Sequence, residues 1–227
     1  MRGSAKGEEP EALLAWKAGQ RGACIEPRYD DLSKEAREAT RNGLFVEQTG
    51  QCVYCGRGID LELLNGHHLE HFRPRARYPH CELTYRNLFL SCGPRRAHGG
   101  DQPTCGNEKK AWFDENCHID PAPEEACQRH FSFTSGGWIK GRGSVEAEKM
   151  IAVLNLNHRE LIAERSTLIE HLDVELNEGI SHGELIAAFL EVSAIGARSS
   201  FAHVAIRYLQ RQSDSDQHAK ADGTPQP

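Results

Sequence analysis

Four cysteines in the first half of the chain have the spacing of a metal site. They form one Cys-x2-Cys pair and a more widely separated second pair, namely Cys52, Cys55, Cys92 and Cys105. A Cys-x2-Cys pair places two thiolates on one tight turn, and two further cysteines complete a tetrahedral Zn²⁺ site. Because twelve residues separate the second pair, His80 or His98 could replace either of its members. The spacing predicts one structural zinc ion, with ordinary buried thiols as the alternative.

The remaining cysteines have no such spacing: they are Cys24, Cys81, Cys117 and Cys127. We interpret them as core or surface thiols, although Cys117 followed by His118 could form an extra ligand pair. The first residues carry two glutamates and a proline where a signal peptide needs an apolar stretch, and no run of about 18 apolar residues occurs. We therefore expect a soluble cytoplasmic protein with no membrane span, and a reducing compartment disfavours a disulfide framework.

A second group of reactive side chains lies between the cysteine pairs, in His67-His68-Leu69-Glu70-His71-Phe72-Arg73-Pro74. The pattern predicts a strand over residues 64–72. Successive residues of a strand face opposite sides, so Glu70 and His71 can point into one cleft only where the strand ends or kinks. Pro74 marks such an end, because proline cannot donate to the ladder. The alternative for a histidine-rich segment is a hydrogen-bonded polar surface.

The surroundings of this segment carry positive charge on a chain that is acidic as a whole. The formal net charge of the 227 residues is -6, and residues 145–227 supply the excess with 7 basic and 13 acidic side chains. Residues 71–110 hold eight basic side chains against three acidic ones. The basic ones are Arg73, Arg75, Arg77, Arg86, Arg95, Arg96, Lys109 and Lys110. Such a cluster predicts a positive surface for a polyanion, and a solvated charged face is the alternative.

Helices are predicted on both sides of the site-bearing region by their apolar periodicity. They cover residues 9–20, 33–49, 144–156, 157–176 and 181–211. Ser33 is the predicted N-cap of the second helix. Asn157 with Glu160, and Ser181 with Glu184, have the spacing of capping pairs at the starts of the last two helices.

The stretch between these helices has a different texture. It is rich in Cys, Gly, His, Arg and Pro, and its only regular pattern is an alternating hairpin with a Gly-rich turn over residues 131–140. The sequence therefore predicts an α+β fold. Its predicted parts are an N-terminal helical arm at 1–49, a core at 50–143, a C-terminal helical region at 144–211 and a disordered polar tail at 212–227.

Two further segments complete a recognisable pattern. Asn87-Leu88 leads to Cys92, and Cys105-Gly106-Asn107 leads to Lys110. Together with Glu70-His71-Phe72-Arg73-Pro74, they resemble the HNH nuclease family. The resemblance extends to the PtuB-like HNH subunits of Septu-type and retron-associated anti-phage systems, over most of residues 10–175. It is carried there by GHHLEHFRP, YRNLFLSC, Asp120-Pro121, FSFTSGGWIKG and IAVLNLNHRELIAER.

The resemblance implies a small ββα-metal (His-Me finger) core that hydrolyses phosphodiester bonds with a divalent cation. It implies His71 as the general base, and Asn87 as the residue whose side-chain carbonyl or local backbone holds the imidazole. It also implies Glu70 and Asn107 as oxygen ligands of Mg²⁺ or Mn²⁺. His68 is a candidate third ligand, or it merely lines the cleft. Glu70 stands where Asp is commoner, and Asn107 stands where a His often stands, which favours Mg²⁺ over nitrogen-preferring ions. Phosphates would be neutralised by Arg73, Arg75, Lys109 and Lys110.

The resemblance also bears on substrate and partner. DNA is the first expectation, and RNA, including tRNA, stays open because a phosphate-directed site reads backbone and shape. No G-x4-G-K-[ST] phosphate loop occurs, so nucleotide control needs another chain, which in the systems that this chain resembles is a Septu-type ATPase.

Apolar stripes in the C-terminal helices offer such a partner a docking surface, although stripes of this kind are more often core. Their members are Ile151, Leu154, Leu161, Ile162, Leu168, Ile169, Leu172, Leu185, Ile186, Phe189, Leu190 and Ile195. The competing functional class is a zinc-stabilised module that binds nucleic acid or protein and cuts nothing.

Overall fold

The computed structural model describes residues 1–63, 65–93 and 103–221, with side chains as far as residue 214. Within these residues the fold is α+β, with two separate two-stranded antiparallel sheets. Its helices are α1 Glu11–Gly22, α2 Lys34–Glu47, α3 Cys105–Lys109, α4 Glu124–Arg129, α5 Val145–Val153, α6 Arg159–Asn177, α7 His182–Leu190 and α8 Ala202–Ala221. Its strands are β1 His67–His71, β2 Leu88–Cys92, β3 Phe131–Phe133 and β4 Ile139–Gly141. Leu64, Arg95, Arg96, His98 and residues 222–227, which figure in the sequence predictions, lie outside the described residues.

A hairpin of β1 and β2 stands at the centre of the molecule. His67 lies opposite Cys92 and His71 opposite Leu88, and every residue of β2 is buried. Gln48, just after α2, extends this sheet on its other edge: its amide oxygen accepts from the Leu90 N–H at 2.7 Å, and its amide nitrogen donates to the Leu90 carbonyl at 2.8 Å. The short helix α3 packs against β2, so the two strands and this helix form one unit that carries residues 67–71.

The two N-terminal helices follow their sequence signals. Ser33 caps α2 as predicted, because its Oγ accepts the Ala36 N–H at 3.1 Å. Helix α1 starts two residues later than predicted, directly after Pro10. The two helices pack on each other, and α2 also packs on β2.

The hairpin and caps of the C-terminal half agree with prediction in all but one place. Strands β3 and β4 form the predicted hairpin, and Ser181 with Glu184 forms a complete capping box. Asn157 was predicted to cap α6, but His158 does so. The Asn157 amide instead clasps Ile139 of β4, with its oxygen 3.0 Å from the Ile139 nitrogen and its nitrogen 2.9 Å from the Ile139 oxygen. A residue predicted to start a helix therefore ties that helix to the hairpin.

The last predicted helix, over residues 181–211, is interrupted in the structure and ends later than predicted. It is broken between Leu190 and Ala202, where a turn at Gly196 has a φ of 82° that favours glycine. Helix α8 then continues to Ala221, so residues 212–221 are helical where the sequence predicts a tail. No Gly or Pro occurs in that segment to end the helix.

The apolar stripes of the C-terminal helices are mostly core. Ile151, Leu154, Leu161, Ile169, Leu172 and Leu185 are all buried. Leu190 and Ile195 remain exposed, at 46% and 74%. The greater part of the predicted docking surface is therefore occupied by the protein itself. In the described chain, no helix combines the length and the apolar character needed to cross a bilayer.

Candidate functional site

The four cysteines meet in one buried cluster. Their sulfur atoms all lie within 4.8 Å of one another, and the Cys55 and Cys92 sulfurs are 3.8 Å apart. Zn–S bonds of about 2.3 Å in a tetrahedron require sulfur separations of about 3.8 Å, so the donor set fits zinc. Among the described residues no other group of three or more Cys, His, Asp or Glu side chains converges in this way. The prediction of a four-cysteine site that could bind zinc is confirmed at the level of geometry.

The turn that carries the first two cysteines explains the glycine beside them. The Gly56 N–H donates to the Cys52 carbonyl at 2.9 Å, and the Gly56 φ is 81°. A Cβ at this position would lie 2.2 Å from the His203 ring of α8, so only glycine allows this approach. The Arg57 N–H also points at the Cys55 sulfur, at 3.5 Å.

The other cysteines lie apart from this cluster. Burial raises the pKa of the Cys127 thiol to about 12, as befits an inert core thiol. Cys24 is exposed, and Cys81 and Cys117 are half-buried. His118 next to Cys117 packs on Phe113, with ring centroids 4.7 Å apart, and its Nδ1 lies 2.8 Å from the Asp114 carbonyl. The alternative ligand pair at 117–118 therefore has no partners for a metal among the described residues.

Glu70 is an almost fully buried carboxylate at the centre of a hydrogen-bonded group. The Tyr54 hydroxyl donates to its Oε1 at 3.0 Å, and the Lys109 ammonium lies 2.8 Å from the same oxygen. The His68 Nε2 lies 3.3 Å from its Oε2. Burial by itself would raise the pKa of Glu70, but the hydrogen bond from His68 and the charge of Lys109 outweigh it and lower that pKa. Glu70 is therefore an anion at neutral pH.

The contacts of His71 define its tautomer. Its Nε2 lies 3.0 Å from the backbone carbonyl oxygen of Glu82, an acceptor, so Nε2 carries the proton and Nδ1 keeps a free lone pair. Burial lowers the pKa of His71, which favours the neutral ring. The Tyr29 ring packs edge-on against the imidazole with centroids 4.5 Å apart. An oriented, neutral imidazole with a free nitrogen is the form that a general base needs.

Asn87 does not contact the His71 ring in a hydrogen bond but holds the loop that does. Its buried side chain accepts the Arg73 N–H at 2.7 Å and donates to the carbonyls of Arg73 and Cys81 at 3.0 and 3.1 Å. This clasp closes the loop that follows β1, and the Glu82 carbonyl on that loop holds the imidazole. The sequence predicts that the Asn87 side-chain carbonyl or the local backbone holds the imidazole; in the structure a backbone carbonyl, that of Glu82, lies at the imidazole, and Asn87 bonds the same loop.

Asn107, expected as an oxygen ligand, is not the residue of α3 that lies beside Glu70. The Asn107 amide nitrogen donates to the Cys92 carbonyl at 3.1 Å, at the end of β2. The residue of α3 that faces Glu70 and His68 is Gly106. A Cβ there would lie 2.4 Å from Glu70 Oε2 and 2.5 Å from His68 Nε2, so glycine leaves a small cradle between these two ligand atoms.

This cradle suits one edge of a divalent cation site. It offers the Glu70 Oε2 and, once the hydrogen bond between them is given up, the His68 Nε2; the other His68 nitrogen, Nδ1, is buried and has no hydrogen-bond partner among the described residues. Oxygen ligands fit Mg²⁺ or Mn²⁺, and water and phosphate commonly fill the positions that the protein leaves open. Glu70 and His68 are thus brought together, whereas the Asn107 side chain is directed elsewhere.

The predicted phosphate-binding residues fall into two groups. Arg73, Arg75 and Lys110 are exposed. Arg75 pairs with Asp30 and lies over the Tyr29 ring at 4.9 Å. Lys109, by contrast, is 2% exposed, and its ammonium binds Glu70 and the His71 carbonyl, the latter at 3.1 Å. Its placement as an internal counterion differs from the expected contact with phosphate, because no face of the ammonium is left for solvent.

Sequence reasoning missed several members of this group. Tyr54 stands inside the Cys-x2-Cys turn, and its position between the two cysteines is the one local signal for it. Gly106 directly follows a cysteine, a place where close backbone approach is common. Tyr29 and the Glu82 carbonyl carry no signal at all, because they reach His71 only through the tertiary fold.

Comparisons with known proteins agree with the resemblance. The chain is 29% identical over 142 residues to a retron Vc95 protein from Vibrio cholerae serotype O1 biovar El Tor that bears the name HNH endonuclease. It is 26% identical over 181 residues to the Septu protein PtuB of Bacillus mycoides strain KBAB4. These matches cover 60% and 69% of this chain, and 66% and 60% of the relatives, so the chain spans less than two thirds of either. No protein-family model matches it. The two relatives support an HNH-like, defence-associated nuclease, which confirms the resemblance predicted from the sequence.

Proposed function

We propose that this chain is a metal-dependent HNH endonuclease with a ββα-metal core made of β1, β2 and α3. The observation that carries the proposal is the His71 imidazole, oriented by the Glu82 carbonyl with Nδ1 free, one residue after the buried anion Glu70. An oriented neutral imidazole beside a buried carboxylate is explained by catalysis, whereas a module that only binds nucleic acid or protein does not require it. The four-cysteine cluster, in this proposal, holds a structural Zn²⁺ that fixes the ends of β2 and α3.

The reaction would be hydrolysis of a phosphodiester bond. His71 Nδ1 takes the proton of the attacking water, and Nε2 stays bound to the Glu82 carbonyl. Glu70 and His68 would hold Mg²⁺ or Mn²⁺ at the Gly106 cradle, and a cation there supplies charge for the scissile phosphate and the leaving oxygen. Asn107 of α3 ties that helix to the Cys92 carbonyl at the end of β2 and would reach the cation only through its amide oxygen.

The substrate we propose is nucleic acid, with DNA first and RNA as the second arm of the test. Arg73, Arg75 and Lys110 are exposed on the loop after β1 and at the end of α3, where they would contact backbone phosphates. None of the eight cysteines forms a disulfide, and a buried four-cysteine metal site also needs reduced thiols, so the cytoplasm is the compartment that we propose.

The partner we propose is a Septu-type ATPase, with the nuclease as effector subunit of an anti-phage complex. The similarity to PtuB supports this proposal. Because most of the apolar stripe of the C-terminal helices is core, docking would use the exposed apolar residues near the α7–α8 connection, among them Leu190, Val192 and Ile195. Co-expression with such an ATPase and size-exclusion chromatography test the complex. Separate elution of the two chains would contradict it.

Cleavage assays test the nuclease itself. Plasmid DNA, linear DNA and total RNA are incubated with the wild-type protein and Mg²⁺ or Mn²⁺, with and without the partner. His71→Ala should lose about 10²–10⁴-fold in rate and keep its fold and nucleic-acid affinity, because it removes a base and not a support. His80→Ala, a change of an exposed histidine on the same loop, is the matched control. Equal cleavage by the His71→Ala variant would favour the zinc-stabilised binding module.

A further inference from the structure

A second basic site lies away from the candidate nuclease site. A cavity of about 490 Å³ opens between α4 and α8, and four arginines line it: Arg2, Arg129, Arg198 and Arg207. The sequence gives no hint of this site, because its members come from both ends of the chain and the C-terminal third is acidic overall.

None of these arginines forms a direct ion pair within the described residues, although the Glu124 carboxylate lies close enough for its charge to act on Arg2. The buried Arg2 side chain donates only to neutral oxygens, at Gln51 Oε1 and Thr49 Oγ1 in 2.7 and 2.9 Å contacts and at the Gly3 carbonyl. Arg207 donates to the backbone carbonyls of Gln128 and Phe131. No carboxylate of the described chain forms an ion pair with any of the four. Of the four, Arg2 is buried, Arg198 and Arg207 are half-buried and Arg129 is exposed. Burying the Arg2 cation without a direct counterion is costly, which favours an anion in the cavity.

A donor without a partner also belongs to the cavity lining. The Arg198 Nε is buried and has no hydrogen-bond partner among the described residues. His203 lines the cavity too, but its ring packs against Gly56 and against Phe133, the latter with centroids 5.5 Å apart, and we assign it no donor in the cavity. Buried donors are normally satisfied, so the Arg198 guanidinium points to a ligand that supplies an acceptor.

The rest of the lining defines the class of ligand. Glu124 and Glu125 oppose the arginines, but four positive charges exceed two negative ones, and Gln128 already donates to Glu124 at 2.9 Å. Leu190, Ala202 and Ile206 give the cavity an apolar side. Ligand pockets of about 300–1,000 Å³ suit molecules of nucleotide size. Arginines on one side and aliphatic residues on the other match a phosphate joined to a flat, partly apolar base.

We propose that this cavity binds a nucleotide through its phosphate group, either as a free nucleotide or as the 5′-phosphorylated end of a strand. Arg198 and Arg207 hold the phosphate oxygens, Arg2 supplies charge from the cavity floor, and the base lies against the side of Leu190 and Ile206. The site shares no residue with the proposed nuclease centre, so its existence does not depend on cleavage activity.

Isothermal titration calorimetry of the full chain, carried out without Mg²⁺ or Mn²⁺, tests the proposal. The probes are AMP, ATP, inorganic phosphate and a 5′-phosphorylated dinucleotide. We expect micromolar binding of at least one nucleotide probe, and at least about tenfold weaker binding in Arg198→Gln, which removes a charge-assisted contact. Arg198 is chosen because its side chain forms no hydrogen bond to another described residue, whereas Arg207 donates to two backbone carbonyls. Arg21→Gln, an equal loss of charge at an exposed arginine of α1, should bind as the wild type does.

Each outcome has a definite meaning. Binding of AMP or ATP that is lost in Arg198→Gln supports a free nucleotide, and binding of the dinucleotide alone with the same dependence supports a strand end. Absence of binding to every probe overturns the proposal, as does binding that Arg73→Gln weakens and Arg198→Gln does not. His71→Ala should bind the nucleotide normally, so a failed nuclease assignment and a failed nucleotide site give different results.

Discussion

Replacing Lys109 separates the role that the structure gives it from the role expected from the sequence. In the structure its ammonium is fully buried and bridges Glu70 Oε1, at 2.8 Å, and the His71 carbonyl, at 3.1 Å. Lys109→Met keeps most of the length of the side chain and removes the charge. The variant therefore leaves the Glu70 carboxylate buried with only Tyr54 and His68 as partners.

The size of the loss can be bounded in two ways. Removing one partner of a buried ion pair commonly costs about 3–5 kcal/mol. The carboxylate can also escape by taking up a proton, which at pH 7 costs about 3.7 kcal/mol for an ordinary glutamate pKa, at about 1.4 kcal/mol per pH unit. We therefore expect Lys109→Met to lose about 3–4 kcal/mol of unfolding free energy. For a chain of this size that corresponds to a fall in Tm of roughly 10 °C.

Urea and thermal unfolding in buffer without Mg²⁺ or Mn²⁺, and with the zinc content checked, measure this loss. Lys110→Met is the matched control, since its side chain is exposed and should change stability by less than about 0.5 kcal/mol. The double variant Glu70→Gln/Lys109→Met should lose less than the sum of the two single variants, because it leaves no unpaired charge. Unfolding of Lys109→Met within 0.5 kcal/mol of wild type, together with weaker nucleic-acid binding, would refute the internal-counterion role and restore the phosphate contact.

Three other predictions follow from the same contacts. Cys52→Ser should lose its bound zinc, as measured by elemental analysis, and become insoluble or much less stable. Cys24→Ser changes an exposed thiol and should behave as the wild type does. Purified wild-type protein without zinc would contradict the metal site. Gly106→Ala places a Cβ 2.4 Å from Glu70 Oε2 and should lower the cleavage rate at limiting Mg²⁺ by about tenfold or more. The control is Gly19→Ala, whose Cβ meets nothing within 4 Å and which should cleave at the wild-type rate. An equal loss of rate in both variants would argue against the cradle. Burial lowers the pKa of Lys6 to about 8 despite its pair with Glu47, so the folded state loses this proton at a lower pH than the unfolded state does. The free energy of unfolding should therefore rise as the pH increases from about 8 to 10. Lys6→Met should lack that part of the rise, and parallel pH profiles of the variant and the wild type would contradict this prediction.

The parts of the fold that the sequence predicts well are those with local signals. Ser33 three residues before a helical N–H, Ser181 with Glu184, the glycine turn of the β3–β4 hairpin and the Cys-x2-Cys turn each depend on residues a few positions apart. Local spacing predicts them because the interacting groups are held by the same short stretch of backbone. The interruption at Gly196 was missed because the sequence on both sides of it keeps an apolar period.

The parts that the sequence assigns less well are the partners of side chains within the site. The resemblance groups Asn87 and Asn107 with His71 and Glu70, and it assigns Lys109 to phosphate; the structure brings these five residues into one region. The motif does not specify that the Asn87 side chain bonds the loop after β1, that the Asn107 amide bonds the Cys92 carbonyl, or that the Lys109 ammonium points inward. Each of those choices is decided by contacts between residues that are distant in sequence, and a motif records only which residues recur, not which atoms meet.

The N-terminal region shows the same effect on a larger scale. As an arm it would be free of the core, yet Gln48 hydrogen-bonds along β2, and Tyr29 packs on the ring of His71. Arg28 and Asp30, on either side of Tyr29, pair with Glu82 and Arg75 of the loop after β1. The loop that holds the imidazole is thus held in turn by residues 28–31, and these ion pairs are exposed, where such pairs are weak. A polyanion that attracts Arg75 competes directly with Asp30 for it, so substrate binding and the packing of Tyr29 on the proposed base are physically linked through a single guanidinium.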